Sequence, residues 1–161
     1  MEKILKAVAI LVCSSALTGA PTPAQDHAKN QAMEHRGNQG MGFDQQKTTH
    51  HFLLRKNGGV IQVTAKSADD KESVEEIKMH LQHIRRAFQG GEFNIPMFVH
   101  DQTPPGVPVL QRLKDEIQYK YEPLKNGGRV LISSENPEAV SALHDFLKFQ
   151  ITEHGTGDPL Q

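Results

Sequence analysis

Tryptophan is absent from this 161-residue sequence, and cysteine occurs once, at Cys13. A single thiol excludes an intrachain disulfide and a zinc site built from several cysteines. The charges have no excess of one sign, with 18 Lys and Arg against 19 Asp and Glu, and there is no long block of like charge. Nucleic acid is therefore not expected as a partner, because binding to phosphates needs a basic surface.

The first 24 residues have the pattern of a secretory signal peptide. Lys3 and Lys6 give a positive start, and residues 7–17 form an apolar run that is too short to span a bilayer. Small residues follow, and we expect cleavage after Ala24. The prediction is an exported protein, periplasmic or extracellular, whose mature chain has no thiol and no transmembrane segment.

The segment 25–46 is predicted to be a flexible linker. It is rich in Gln, Asn, Gly, His and Met and contains almost no branched apolar residue. Such a segment buries too little apolar surface to offset the entropy that is lost when a chain becomes ordered. Regular hydrophobic patterns begin after it, so we expect a single α+β domain over residues 47–161.

A β-hairpin followed by an amphipathic helix opens the predicted domain. Two stretches of β-forming residues, 48–55 and 60–65, flank the tetrapeptide Lys-Asn-Gly-Gly at 56–59, which is typical of a tight turn. Helix-capping residues then precede a row of apolar residues at the spacing of one helical face, before Gly90 and Gly91. That row consists of Val74, Ile77, Leu81, Ile84 and Phe88.

The same order of elements occurs again in the second half. An irregular, proline-containing connector at 92–106 and a short helix at 107–114 lead to a second hairpin, whose turn at 125–128 repeats Lys-Asn-Gly-Gly. Asn136 then caps a helix that ends near Gly155. An internal duplication and the independent use of a favoured turn both explain the repeat. In either case the prediction is an α+β fold, in which two hairpin-plus-helix units form a four-stranded antiparallel sheet with helices on one face.

Histidine is the abundant residue with useful chemistry, with nine copies. Imidazole is the commonest protein ligand for transition metals. His80 and His83 lie on a helical stripe beside the apolar face, His50 is on the helix-facing side of the first strand, and His100 is in the connector. The sequence thus predicts a domain that binds a small ligand, in the sharpest version a zinc or copper ion held by His50, His80, His83 and His100. At least three of these imidazoles must converge, because metal–nitrogen bonds are only about 2.0–2.1 Å long.

Two other classes of function fit the same sequence. In the first, the histidines are ordinary polar surface, and the domain is a structural or interaction module whose exposed sheet edge binds an envelope protein partner. In the second, the domain is a small enzyme in which His100 acts with Asp101 or Glu76 as acid and base. The sequence has no thiol in its mature part and no nucleophile elbow, so we expect binding rather than catalysis.

Four strings in the sequence resemble a known family. They are the segment from Met-Gly-Phe-Asp-Gln to His-His-Phe at 41–52, Asn-Ile-Pro-Met-Phe-Val-His-Asp at 94–101, Pro-Pro-Gly-Val-Pro at 104–108, and Gly-Thr-Gly-Asp-Pro at 155–159. They are similar to strings in small exported bacterial proteins of unknown function, which often carry the label aspartate carbamoyltransferase. The carbamoyltransferase enzymes have two α/β domains and a Ser-Thr-Arg-Thr phosphate loop, which this sequence lacks, so none of their catalytic residues is carried over. The resemblance implies that His50-His51 and the segment 96–101 belong to one recurring design.

Overall fold

The computed structural model describes residues 23–161, apart from the side chains of residues 23–26 and 29. The predicted signal peptide, 1–24, therefore lies almost wholly outside the described residues. Over the described range, no helix combines the length and the apolarity that a bilayer crossing requires. The helices and strands are α1 (Pro23–Met41), β1 (Thr48–Arg55), β2 (Gly58–Ala65), α2 (Lys71–Gln89), α3 (Asn94–His100), α4 (Val107–Arg112), β3 (Ile117–Leu124), β4 (Gly127–Ser134) and α5 (Pro137–His154).

The four strands form one antiparallel sheet in the order β1-β2-β4-β3, which confirms the predicted α+β fold. The helices α2 and α5 cover the same face of this sheet, since Gly59 of β2 faces Leu147 of α5 and Gly128 of β4 faces Leu81 of α2. All five apolar residues of the predicted α2 row are buried. The core therefore lies between the sheet and the pair α2 and α5.

The two hairpins meet along the central strands β2 and β4, and each turn reaches into the other unit. Asn57 accepts a hydrogen bond through its backbone carbonyl from the Ser134 N–H at 3.0 Å, and the Asn126 carbonyl accepts one from the Ala65 N–H at 2.8 Å. The repeated turns thus do more than reverse the chain. They fasten the far ends of the two central strands together.

Glycine is required in both turns because the two backbones approach closely there. A Cβ on Gly58 would lie 2.0 Å from the carbonyl oxygen of Ile132, and a Cβ on Gly127 would lie 2.2 Å from that of Val63. Both distances are far below a van der Waals contact. The two units therefore use the same glycine position for the same purpose.

The segment predicted as a flexible linker differs in the structure, where it is helical up to Met41. Ala, Gln, Lys, Glu and Met favour helices, so a lack of branched apolar residues does not prevent one from forming. The helix α1 is held against α3 by Arg36, whose Nε donates a hydrogen bond to the Val99 carbonyl at 2.9 Å. Met41 and Phe43, at the end of this segment, are buried in the core.

The predicted irregular connector also contains a helix, α3. Pro96 is in its first turn, where a backbone N–H has no partner within the helix, so proline removes no bond there. Asp101, with a φ of 53°, ends the helix in the left-handed conformation. The short helix predicted at 107–114 is present as α4. Since α3 carries His100 into the core, this helix contributes directly to the site described below.

The C-terminal tail lies against the outer edge of β1. Asp158 accepts the backbone N–H of Phe52 at 2.9 Å and a hydrogen bond from His51 Nδ1 at 2.9 Å. The Thr156 hydroxyl donates to the same carboxylate at 2.7 Å. Partial burial acts to raise the pKa of Asp158, but these hydrogen bonds outweigh it and lower the pKa. The tail therefore satisfies an outward-facing group of an edge strand.

We predict that Gly58→Ala and Gly127→Ala each lower the free energy of unfolding by about 1–3 kcal/mol, the usual range for overpacking in a dense interior. The physical reason is the clash with the carbonyl of the opposite central strand. Urea denaturation of the variants measures the effect. Gly90→Ala is the control, because Gly90 has an ordinary right-handed φ of -78° and ends a helix. Wild-type stability in the two turn variants would contradict the close approach.

Candidate functional site

Four histidines from four different elements line one cavity, which we call the histidine chamber. They are His50 of β1, His80 of α2, His100 of α3 and His154 of α5, and the chamber has a volume of about 50 Å³. Most of the remaining wall is apolar. The other lining residues include Met41, Phe52, Ile84, Phe88, Phe146 and Gln150.

The imidazole rings of the chamber are close neighbours. His50 and His154 are stacked, with ring centres 5.7 Å apart and an angle of 11° between the ring planes. His100 meets His154 nearly at a right angle, with centres 5.1 Å apart. Phe43 lies beside the group and contacts both His50 at 5.7 Å and His80 at 5.3 Å. Because Phe43 follows α1, the segment before β1 helps to enclose the chamber.

Hydrogen bonds fix two of the four rings. His80 donates to the backbone carbonyl of Met41. His100 Nε2 lies 3.0 Å from Gln150 Oε1, and His100 Nδ1 lies 4.0 Å from the Glu153 carboxylate. His50 differs, since its Nε2 is buried and has no hydrogen-bond partner among the described residues. A buried polar atom without a partner costs about 1–3 kcal/mol, so His50 presents an unused nitrogen at the chamber.

Burial keeps three of the four imidazoles neutral. It lowers the pKa of His50 to about 4, and it lowers the pKa of His80 and of His154 to about 3. Neighbouring imidazoles add to the effect, because a second positive charge nearby would be unfavourable. A neutral imidazole has a lone pair, so these side chains are able to accept a hydrogen bond or bind a metal over the whole physiological range of pH.

A larger polar groove adjoins the chamber. It has a volume of about 620 Å³ and runs between α1, the start of β1 and the end of α5. His50 and His154 line both the groove and the chamber, so they form the partition between them. The charged residues that line the groove are Glu34, Glu153 and Lys66. The groove therefore gives a polar approach to the two stacked imidazoles.

The structure brings three of the four predicted metal ligands to the chamber and leaves the fourth apart. His83 is exposed and lines a separate small cavity of about 30 Å³. His154 takes a place that sequence reasoning missed. A signal for it was present, because Phe146, Gln150 and His154 follow one another at steps of four residues, and such residues share one face of a helix.

The imidazoles are near enough to share an ion but are not oriented to do so. Among the described residues, no group of three or more His, Cys, Asp or Glu side chains is arranged to hold a metal. An ion at 2.0–2.1 Å from each nitrogen lies about 3 Å from each ring centre, so two ligating rings have centres up to about 6 Å apart. The observed separations of 5.7 Å and 5.1 Å meet this limit. The orientation of His50 and His154 is not suitable, however. The lone pair of an imidazole lies in the plane of its ring, so in two nearly parallel, stacked rings the lone pairs do not point at a common ion, and one ring would have to rotate.

No family model, curated protein or solved structure matches this chain. The resemblance to exported bacterial proteins of unknown function therefore stays a prediction. What the site does has to be inferred from its geometry.

The acid and base pair considered from the sequence is not assembled around His100. Asp101 is exposed at the end of α3, and Glu76 does not line the chamber. The Glu153 carboxylate lies 4.0 Å from Nδ1 of the His100 ring. This arrangement orients an imidazole rather than placing an acid and a base on either side of a substrate.

We predict that stability falls as the pH drops from 6.5 to 5. Unfolded histidines bind protons near pH 6.5, whereas burial holds the pKa of His50, His80 and His154 at about 3 to 4. The unfolded state therefore takes up more protons in this window, and each such histidine removes up to about 1.4 kcal/mol of stability per pH unit. Urea denaturation at several pH values measures the slope.

Matched substitutions identify the histidines responsible. His154→Phe keeps a ring in the stack but removes the titrating group. We therefore expect the slope of unfolding free energy against pH to fall by the contribution of about one proton. His83→Phe is the control and should leave the slope unchanged, because His83 is exposed. A stability that does not change between pH 6.5 and 5 would show that the chamber histidines are protonated in the folded protein.

Proposed function

We propose that this chain is an exported domain that binds a small ligand in the histidine chamber, and that the ligand is a transition metal ion. The observation that supports the proposal is the convergence of four imidazoles from four elements on one cavity, in which the buried Nε2 of His50 has no partner within the described part of the chain. A bound ion would use this nitrogen and remove the cost of leaving it unsatisfied.

The surroundings of the imidazoles support a ligand role. Metal-binding histidines usually donate their second ring N–H to a backbone carbonyl or a carboxylate, which fixes the ring and its tautomer. His80 has such a partner in the Met41 carbonyl, and the Glu153 carboxylate is near His100 Nδ1. Since the rings are neutral, no proton has to be displaced before the ion binds.

The alternative of an interaction module that captures a partner strand has less support. The edge of β1 is occupied at Phe52 by the Asp158 carboxylate. The other edge strand, β3, contains Pro123, which has no N–H to donate to an added strand. An envelope protein partner is therefore the second candidate, and it would have to bind another surface.

The test is metal binding by protein purified without an affinity tag. Equilibrium dialysis against Zn²⁺, Ni²⁺, Cu²⁺ and Cu⁺ should give one ion per chain for at least one metal. At a free metal concentration of about 100 times the dissociation constant, the ion should stabilise the fold by about 2.7 kcal/mol. Urea denaturation with and without the metal measures this.

Ring-preserving variants separate binding from folding. His50→Phe and His154→Phe keep the aromatic packing, so they should fold at least as stably as the wild type but lose the bound ion. His83→Phe should keep it, because His83 lies outside the chamber. Absence of binding for all four metals, or equal binding by the His50→Phe and His154→Phe variants, would reject the proposal.

A further inference from the structure

The size of the histidine chamber limits what it is able to hold. An engineered apolar cavity that binds benzene has a volume of about 150 Å³, three times the volume of about 50 Å³ found here. A ring-sized organic molecule is therefore too large for the chamber as it stands. A single ion, with one or two small molecules beside it, fits.

The charge around the chamber limits the ion further. Of the described residues that line it, none has a carboxylate or a cationic side chain. Glu153 brings an acidic group near the chamber, since its carboxylate lies 4.0 Å from His100 Nδ1. The free energy needed to move an ion out of water grows with the square of its charge. Moving a divalent ion into this uncharged chamber would therefore need about four times as much free energy as moving a monovalent one. The setting favours an ion of charge one.

The possible metal ligands also favour a monovalent ion. Met41 is buried and lines the chamber together with the imidazoles, and its side chain carries a thioether sulfur. Thioether sulfur is a soft ligand that selects monovalent copper over zinc, and imidazole also binds copper. The absence of a three-ligand group among the described His, Cys, Asp and Glu residues argues against a tetrahedral zinc site.

We infer that the chamber selects Cu⁺, bound by the Met41 sulfur and by His50 and His154; this inference rests on the proposed function. His50 and His154 are chosen because they also line the groove, so an ion in the groove reaches them first. Rotation of one imidazole about its terminal side-chain torsion, which is a broad and soft one, brings both lone pairs toward the ion.

The groove is suited to guide a cation to these residues. Its charged side chains are two carboxylates, Glu34 and Glu153, and one amine, Lys66. The Lys66 amine is engaged by the Gln46 carbonyl at 2.8 Å. The groove also includes the C-terminal end of α5, whose backbone carbonyls give a partial negative charge. The two carboxylates and the helix carbonyls attract a cation and outnumber the single positive charge of Lys66, which opposes them.

The experiment compares two methionine substitutions under anaerobic conditions. Cu⁺ affinity is measured by competition with a chromophoric Cu⁺ chelator, and Zn²⁺ affinity by competition with a zinc indicator. Met41→Leu removes the thioether at nearly constant volume and should weaken Cu⁺ binding at least tenfold without changing Zn²⁺ binding. Met79→Leu, on the solvent side of α2 with 63% of its surface exposed, should change neither. Urea denaturation of the metal-free variants checks that both are folded.

X-ray absorption at the copper edge gives an independent readout of the ligands. The wild-type spectrum should contain one sulfur and two imidazole neighbours, and the sulfur should vanish in Met41→Leu. Tighter binding of Zn²⁺ than of Cu⁺, or an unchanged Cu⁺ affinity in Met41→Leu, would overturn the inference. If another metal then still depends on His50 and His154, the proposed function stands without the copper preference. If no metal binds at all, both are rejected.

Discussion

The pairing of β2 with β4 is the constraint on which the rest of the structure depends. It joins two hairpins into one sheet, and it is possible because glycine at positions 58 and 127 lets each central strand approach the other. The joined sheet is wide enough for α2 and α5 to lie side by side on one face. Since His50 and His80 come from the first unit and Gln150 and His154 from the second, the chamber is a product of this junction.

The two hairpin-plus-helix units have the same order of elements but carry different side chains at equivalent positions. His50 and Tyr119 each stand six residues before their Lys-Asn-Gly-Gly turn, on the helix-facing side of an edge strand. Tyr119 packs in a T-shaped contact on Phe88, which stacks on Phe93, so aromatic rings fill that end of the core. At the other end, imidazoles replace them. Packing alone does not call for polar rings there, and a departure of this kind from a consistent core is expected at functional sites.

Local signals in the sequence predicted the hairpins, the caps and the buried row of α2, because each depends on residues close together in the chain. Which side chains contact the histidines depends on residues that are distant in the chain, so these contacts could not be predicted from local patterns. His80 and His83 are three residues apart and thus about 60° apart around the helix, which is enough to place one at the chamber and the other in solvent. The helix α1 was missed because its order depends on contacts such as that of Arg36 with Val99, which lies 63 residues further along the chain.

The carboxylate of Asp158, which follows every described helix and strand in the chain, closes an edge of the sheet. During synthesis from the N-terminus, β1 is complete about a hundred residues before Asp158 exists. Throughout this time the Phe52 N–H is open to the edge-to-edge stacking that begins fibrils. A premature stop directly after Gly157 would leave every described helix and strand in place and still lose this protection.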